Sequence, residues 1–180
     1  MAQININWHW ITYEIGSKWK KDVLPQLGKL EISESDLSSS VYVIRVAGYF
    51  AIKYPKAISP VLYIGEGNFK TRIEQHRNWL GNMSEIMSEF PLEIAFCLPK
   101  CTGNNHCRHK DTEAAMLHAF KDKFGLAPLK NKQMEYARID HEYLPRLAFN
   151  DAINIGRGVR CDWAIEPMPS NIHYNEYHRV

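Results

Sequence analysis

Three short β-branched and aromatic runs, two stretches with helical spacing of apolar residues, and the order strand, strand, helix, strand, helix predict an α+β fold. The expected core is a small, mainly antiparallel three-stranded sheet flanked by helices and extended at both ends. At 180 residues the chain suits a single domain. Its 45% hydrophobic and 23% charged content suits a folded chain with a real core.

The first forty residues open on alternation, with Ile4, Ile6, Trp8 and Trp10 on one side and Asn5, Asn7 and His9 on the other. This predicts a strand with one buried face, or an extended arm. Trp19 follows among Lys18, Lys20 and Lys21, and the polar stretch from Glu31 to Asp36 reads as a solvated connection. Val41–Val46 is the first core strand. A long connection punctuated at Tyr54-Pro55 and Ser59-Pro60 leads to a second strand, Val61–Ile64, which Gly65 and Gly67 are expected to end.

Asn68 is placed to cap a helix from Phe69 to about Leu80. Pro91–Leu98 reads as the third strand, with Leu92, Ile94 and Phe96 alternating. A second helix is expected from about Thr112 to Phe124, stopped by Gly125. The tail beyond residue 131 is expected to be partly helical up to Ile155, and the aromatic segment His173–His178 reads as a tail or packing arm.

The N-terminus has no basic start followed by an apolar run, and no apolar stretch approaches a membrane span. A cytoplasmic chain with no membrane partner is therefore expected, its four cysteines (Cys97, Cys101, Cys107, Cys161) reduced. A net charge of +2 neither announces nor excludes a nucleic-acid partner, since basic charge can concentrate on one face.

Two polar clusters stand where packing alone would not put them. On the first helix Phe69, Ile73 and Leu80 form an apolar stripe, yet Arg72 and His76 lie on or beside it. On the second, Glu113 heads the stripe Leu117, Phe120, Phe124, in what is expected to be the first turn. A carboxylate there must be paired, hydrogen-bonded or bound to a metal. Tyr42 and Tyr63, if on adjacent strands, project from one sheet face toward these helices. Two phenols, a guanidinium, an imidazole and a carboxylate can together hydrolyse a phosphodiester.

The ordered set Val41-Tyr42-Val43-Ile44, Tyr63-Ile64-Gly65, Arg72 with His76, Glu113, and Pro128 with Asn131 resembles the GIY-YIG nuclease superfamily. The resemblance covers about residues 41–131, leaving 1–40 and 132–180 as extensions of that nuclease core. The first motif here reads Ser40-Val41-Tyr42, and the interval from Tyr42 to Tyr63 is long, as in restriction enzymes of the superfamily. The resemblance implies Tyr42 as general base, Tyr63 shaping the site or sharing that role, Arg72 on the scissile phosphate and His76 orienting or deprotonating Tyr42. It also implies Glu113 as ligand of one divalent metal (Mg2+ or Mn2+), with Gly65 and Asn131 supporting. Lys70 is a further candidate for phosphate or water contact.

The function implied is DNA endonuclease, of the stand-alone restriction type. Such an enzyme would pair with a cognate methyltransferase and act as a homodimer on palindromic DNA. A structure- or damage-selective repair or recombination nuclease, a ribonuclease and a non-catalytic nucleic-acid-binding module are the alternatives. Lys18, Lys20 and Lys21 are candidate DNA contacts, set against a plain role in covering the sheet edge. Cys97, Cys101, His106, Cys107 and His109 raise a structural zinc, and with it a zinc-stabilised interaction domain, although their spacing matches no paired knuckle.

Overall fold

The computed structural model describes residues 2–14, 16–47, 50–82, 92–103, 105–155, 163–166, 169–171 and 174–177. The elements in chain order are β1 (Gln3–Asn5), β2 (Trp8–Tyr13), α1 (Leu24–Lys29), β3 (Ser40–Val46), β4 (Phe50–Lys53), β5 (Ile58–Ser59), β6 (Val61–Gly67) and α2 (Phe69–Asn82). They continue as β7 (Leu92–Cys97), β8 (Lys100–Cys101), α3 (Arg108–Phe124), β9 (Glu142–Leu144), α4 (Asn150–Ile153), β10 (Trp163–Ile165) and α5 (Tyr174–Tyr177). The fold is α+β, as the sequence predicts.

The central sheet has four strands rather than three, in the order β2-β7-β3-β6, all antiparallel. The extra strand comes from the N-terminal extension, where Trp8–Tyr13 pairs residue for residue with Leu92–Cys97. The alternating run at the N-terminus is thus two strands, not one. Ile4 and Ile6 are buried beside β1, whereas in β2 the buried positions shift by one to Ile11 and Tyr13. A one-residue change of phase turns the opposite face inward.

Two three-stranded sheets, β8-β1-β9 and β10-β4-β5, flank the centre. The second contradicts the reading of residues 47–60 as a plain connection. Ile52 pairs with Ser59 and Lys53 with Ile58, so Tyr54-Pro55 marks a hairpin turn inside that connection. The tail is also less helical than expected: β9 and the single turn of α4 are its only regular elements from residue 132 to residue 155. Pro91, Cys161, His173 and His178 lie outside the described residues.

Buried Arg45 anchors this tail, with Nη1 donating to the carbonyls of Asp151 and Ala152 at 2.9 Å and Nη2 to that of Asn154 at 3.1 Å. It satisfies carbonyls at the end of α4 that the helix cannot pair internally. The buried side chains form one cluster running from Ile4 to Ile153.

Among the described residues no helix is long and apolar enough to cross a membrane.

The two long helices cover opposite faces of the central sheet. Tyr42 is registered with Gly65 and with Phe96, and Ile44 with Tyr63, so these side chains share one face. Phe69 of α2 meets that face, its ring stacked on Phe96 at 4.9 Å and edge-on to Tyr42 at 5.7 Å. Glu66 alternates to the other face and meets His109 of α3. Asn68 caps α2 as expected, its Oδ1 accepting from Thr71 N at 3.1 Å. Gly125 ends α3 at φ +95°, the left-handed conformation glycine adopts without strain.

Candidate active site

Of the residues singled out in the sequence, Tyr42, Tyr63, Gly65, Arg72, His76, Glu113 and Asn131 converge at the C-terminal half of β6. This is the edge strand of the central sheet, so groups from both faces reach its rim.

On the α2 side the groups are neutral and hydrogen-bonded. Tyr42 is fully buried, and its Oη lies 2.8 Å from His76 Nε2. Trp79, one turn further along α2, donates its indole N–H to His76 Nδ1 at 2.9 Å. An indole nitrogen can only donate, so Nδ1 must accept, and neutral His76 carries its proton on Nε2. His76 therefore donates to Tyr42. The orienting role suits this geometry, whereas deprotonation of Tyr42 by His76 does not, because Nε2 is already protonated.

Burial, reinforced by the cation of Arg72, lowers His76 to about 4, so it stays neutral at ordinary pH. Burial likewise drives the Tyr42 phenol far above its ordinary value. Tyr63 is only half-buried, its ring 6.0 Å from that of Tyr42 and 4.6 Å from that of His76. Its phenol is raised too, by burial first and then by Glu113.

Gly65 is where the tyrosines close over the backbone. A Cβ there would stand 2.5 Å from Tyr63 Cε1 and 2.7 Å from Tyr42 Oη, so only glycine fits. It does not end the strand: β6 runs on to Gly67, and that continuation delivers Glu66 to the α3 face.

On the α3 side the groups are acidic and basic. Glu66 Oε2 is 3.3 Å from His109 Nε2, and Glu66 Oε1 is 3.7 Å from Arg72 Nη2. Arg72 Nε also donates to the Glu66 carbonyl at 3.0 Å and Nη1 to Gln75 at 3.3 Å. Thus braced, the partly exposed guanidinium lies over the site. Glu113 comes from α3 one turn after His109. Burial, with repulsion from Glu66 and Glu135, raises Glu113 to about 8. Among the described residues its carboxylate has no hydrogen-bonding or ion-pair partner.

Glu113 is not in the first helical turn as expected, because α3 begins at Arg108. The first-turn acid is the buried Asp111. Its carboxylate receives the backbone N–H of Arg138 at 2.8 Å and Asn105 Nδ2 at 3.0 Å, and lies 3.1 Å from His141 Nε2. Asn131 takes the supporting role read for it. Its amide pairs with both backbone groups of Ile64, accepting at 3.0 Å and donating at 2.7 Å, as a neighbouring strand would.

Lys70 does not face this site. Its ammonium is paired with Glu34 at 3.3 Å and lies over the Trp19 ring, toward the N-terminal extension. Lys18, Lys20 and Lys21 are exposed around buried Trp19, which packs on Phe69 of α2. The cation at the rim is instead Lys130, its Nζ 5.2 Å from the Trp79 ring.

Cys97 is buried in β7, its thiol pushed up by burial, while Cys107 Sγ accepts from Arg138 Nη1 at 3.5 Å. No three His, Cys, Asp or Glu side chains among the described residues are grouped to hold a metal by themselves.

Sequence reasoning missed Glu66, Trp79 and Lys130, and named His109 only as a candidate zinc ligand. Two were legible: His109 stands four residues before Glu113 on a shared helix face, and Trp79 three residues after His76.

No family model, curated protein or solved structure matches this chain.

Proposed function

We propose that this chain is a metal-dependent endonuclease that hydrolyses DNA phosphodiester bonds. The observation that carries the reading is the unpartnered Glu113 carboxylate facing Arg72 and the half-exposed Tyr63 across one rim, with Tyr42 locked behind them by His76. The ordered motif set that resembles the GIY-YIG superfamily supports it.

The donor set fits a hard divalent cation. Magnesium keeps several waters and needs only one or two protein carboxylates besides substrate phosphate, so a closed protein cage is not required. Glu113 would hold it, with Glu66 nearest as a second carboxylate. The cation, magnesium or manganese, would neutralise charge on the phosphate oxygens and lower the pKa of bound water.

The protein's own groups divide the remaining work. Arg72, braced on Glu66, binds the non-bridging oxygens of the scissile phosphate, where charge builds in the transition state. Tyr63 accepts the proton of the attacking water as it hands its own phenolic proton to solvent at the exposed edge of its ring. We move this role from Tyr42 because Tyr42 has no exposed surface for water to reach. Tyr42, held by the Nε2 proton of His76, backs Tyr63 and keeps its ring in place. Water adds to phosphorus opposite the leaving oxygen, the P–O bond to the sugar breaks, and the leaving alkoxide takes a proton from solvent.

Restriction-type cleavage is the specific activity proposed within this class, acting as a homodimer. The test incubates supercoiled and linear DNA with protein and magnesium, beside Glu113→Ala and an EDTA control. Discrete fragments absent from both controls are expected, and equal behaviour of wild type and Glu113→Ala would overturn the reading. Cutting confined to branched or damaged DNA would reassign it to repair. Tyr63→Phe should lose on the order of a hundredfold or more in rate, the usual scale of general-base catalysis. Tyr42→Phe should lose less. The reverse ranking returns the base role to Tyr42.

A further inference from the structure

A strap from Leu129 to Asp140, without helix or strand, runs along the rim of the site. Its backbone is nevertheless held at intervals. Lys130 N donates to the Leu62 carbonyl at 2.9 Å, and Asn131 pairs with Ile64. His118 Nε2 lies 3.0 Å from the Glu135 carbonyl, and Arg138 N donates to Asp111 at 2.8 Å. Asp111 and the neighbouring His141 have side chains only 1% exposed, so the last anchor is a buried polar cluster. Burying such a pair is costly, and here it fixes an irregular segment rather than a core element.

What the strap displays is unusual. Tyr136 is 80% exposed, and Leu129 and Ile139 are each 55% exposed. These are three of the six large hydrophobics exposed among the described residues, gathered on one short segment. Lys130, Lys132 and Arg138 alternate with them, and Lys132 and Arg138 are exposed. Glu135 lies inward, close enough to repel Glu113. Exposed aromatic surface interleaved with cations, on a pre-ordered backbone, suits phosphate and base or sugar contact better than a dry protein interface.

We propose that this strap is the DNA-contacting element of the chain, Lys130 and Lys132 seating backbone phosphates and Tyr136 packing on a base or sugar beside the cleaved bond. The proposal rests on the nuclease reading for its choice of partner. Anchoring at both ends keeps Tyr136 positioned before DNA arrives, so little ordering is required on binding.

The test is binding of a short fluorescein-labelled DNA duplex, read by anisotropy in EDTA so that no cleavage intervenes. Tyr136→Ala should weaken binding about fivefold to a hundredfold, the range of one stacking contact. Lys132→Ala should weaken it evenly across sequences and lower the salt slope by about one. Both side chains are exposed, and unchanged melting temperatures will show that the fold is intact. Wild-type affinity and salt slope in both variants would overturn the strap. A wild-type protein that binds the duplex through these residues yet never cuts it would leave the strap standing and remove the nuclease reading.

Discussion

The two faces of the β6 edge are built on opposite electrostatic principles. On the α2 side, Trp79, His76 and Tyr42 form a neutral chain in which both N–H donors have an acceptor and every ring touches another. On the α3 side, Glu66 and Glu135 repel Glu113, and the cations of Arg72 and Lys110 offset them only in part. The first is complete without a ligand. The second leaves the Glu113 carboxyl without a partner among the described residues, the arrangement expected of a site finished by a cation and a phosphate. A hydrogen-bonded network fixes position, and an unpaired carboxyl leaves room for a ligand.

The two faces should differ most at Glu113. Glu113→Gln should cut cleavage on the order of a thousandfold or more, because several kcal/mol of charge stabilisation disappear. Its melting temperature in metal-free buffer should nevertheless equal or exceed that of wild type, since a carboxyl group that burial and Glu66 disfavour has been replaced by a neutral amide. Added magnesium should raise the wild-type melting temperature and leave the variant unmoved. A large loss of stability in Glu113→Gln would show that the carboxylate has a structural partner after all.

The α2 side should behave in the opposite sense. Gly65→Ala forces a methyl into the two tyrosine rings and should cost about 1–3 kcal/mol of stability, the scale of an overpacked core. Chemical denaturation would read it, and a neutral effect would mean the rings move aside easily. Trp79→Phe keeps the packing but frees His76 Nδ1, so either neutral tautomer becomes available. A rate loss of about tenfold is expected, as for other residues that orient a catalytic group. Nitrogen-15 histidine spectra should show the Nε2 proton of His76 fixed in wild type and shared in the variant. An unchanged tautomer would remove Trp79 from the site.

The smallest effect is a pH dependence. His76 is held at about 4 in the fold against 6.5 in the unfolded chain. Between those values the unfolded state binds a proton that the folded state refuses, so stability rises with pH across this window and is lost as pH falls through it. His9 and His109 are also lowered by burial and act in the same direction. His76→Phe should make the melting temperature less sensitive to pH between about 4 and 6.5, and an unaltered slope would contradict a neutral His76.

Much of the site was legible because it repeats on helical and strand periods. Arg72 and His76 share a stripe whatever the helix packs on, and Asn68 and Gly125 mark ends by local chemistry alone. Glu66 was hidden because Gly65 was read as the end of its strand. Only pairing with β3 carries β6 to Gly67 and turns Glu66 toward α3. Glu113 was found, but its turn was misplaced, because the polar residues before Thr112 resemble a loop until Asp111 acquires its buried partners.

The long connection after β3 concealed a hairpin that depends on parallel pairing with β10, more than a hundred residues away. Lys70 illustrates the same limit: helical position put it near Arg72, but the partners that hold it come from the N-terminal extension.

Local spacing by itself determined the α+β class, the two long helices, the three core strands and the placing of Arg72, His76 and Glu113 on inward helix stripes. These depend on interactions within a few positions of each residue. Tertiary structure alone decided the fourth strand, the tautomer of His76, which phenol reaches water, and which carboxylate is left without a partner. Each of those depends on what stands across a sheet or opposite a helix, and the free energy of a buried proton or charge is set by those distant neighbours.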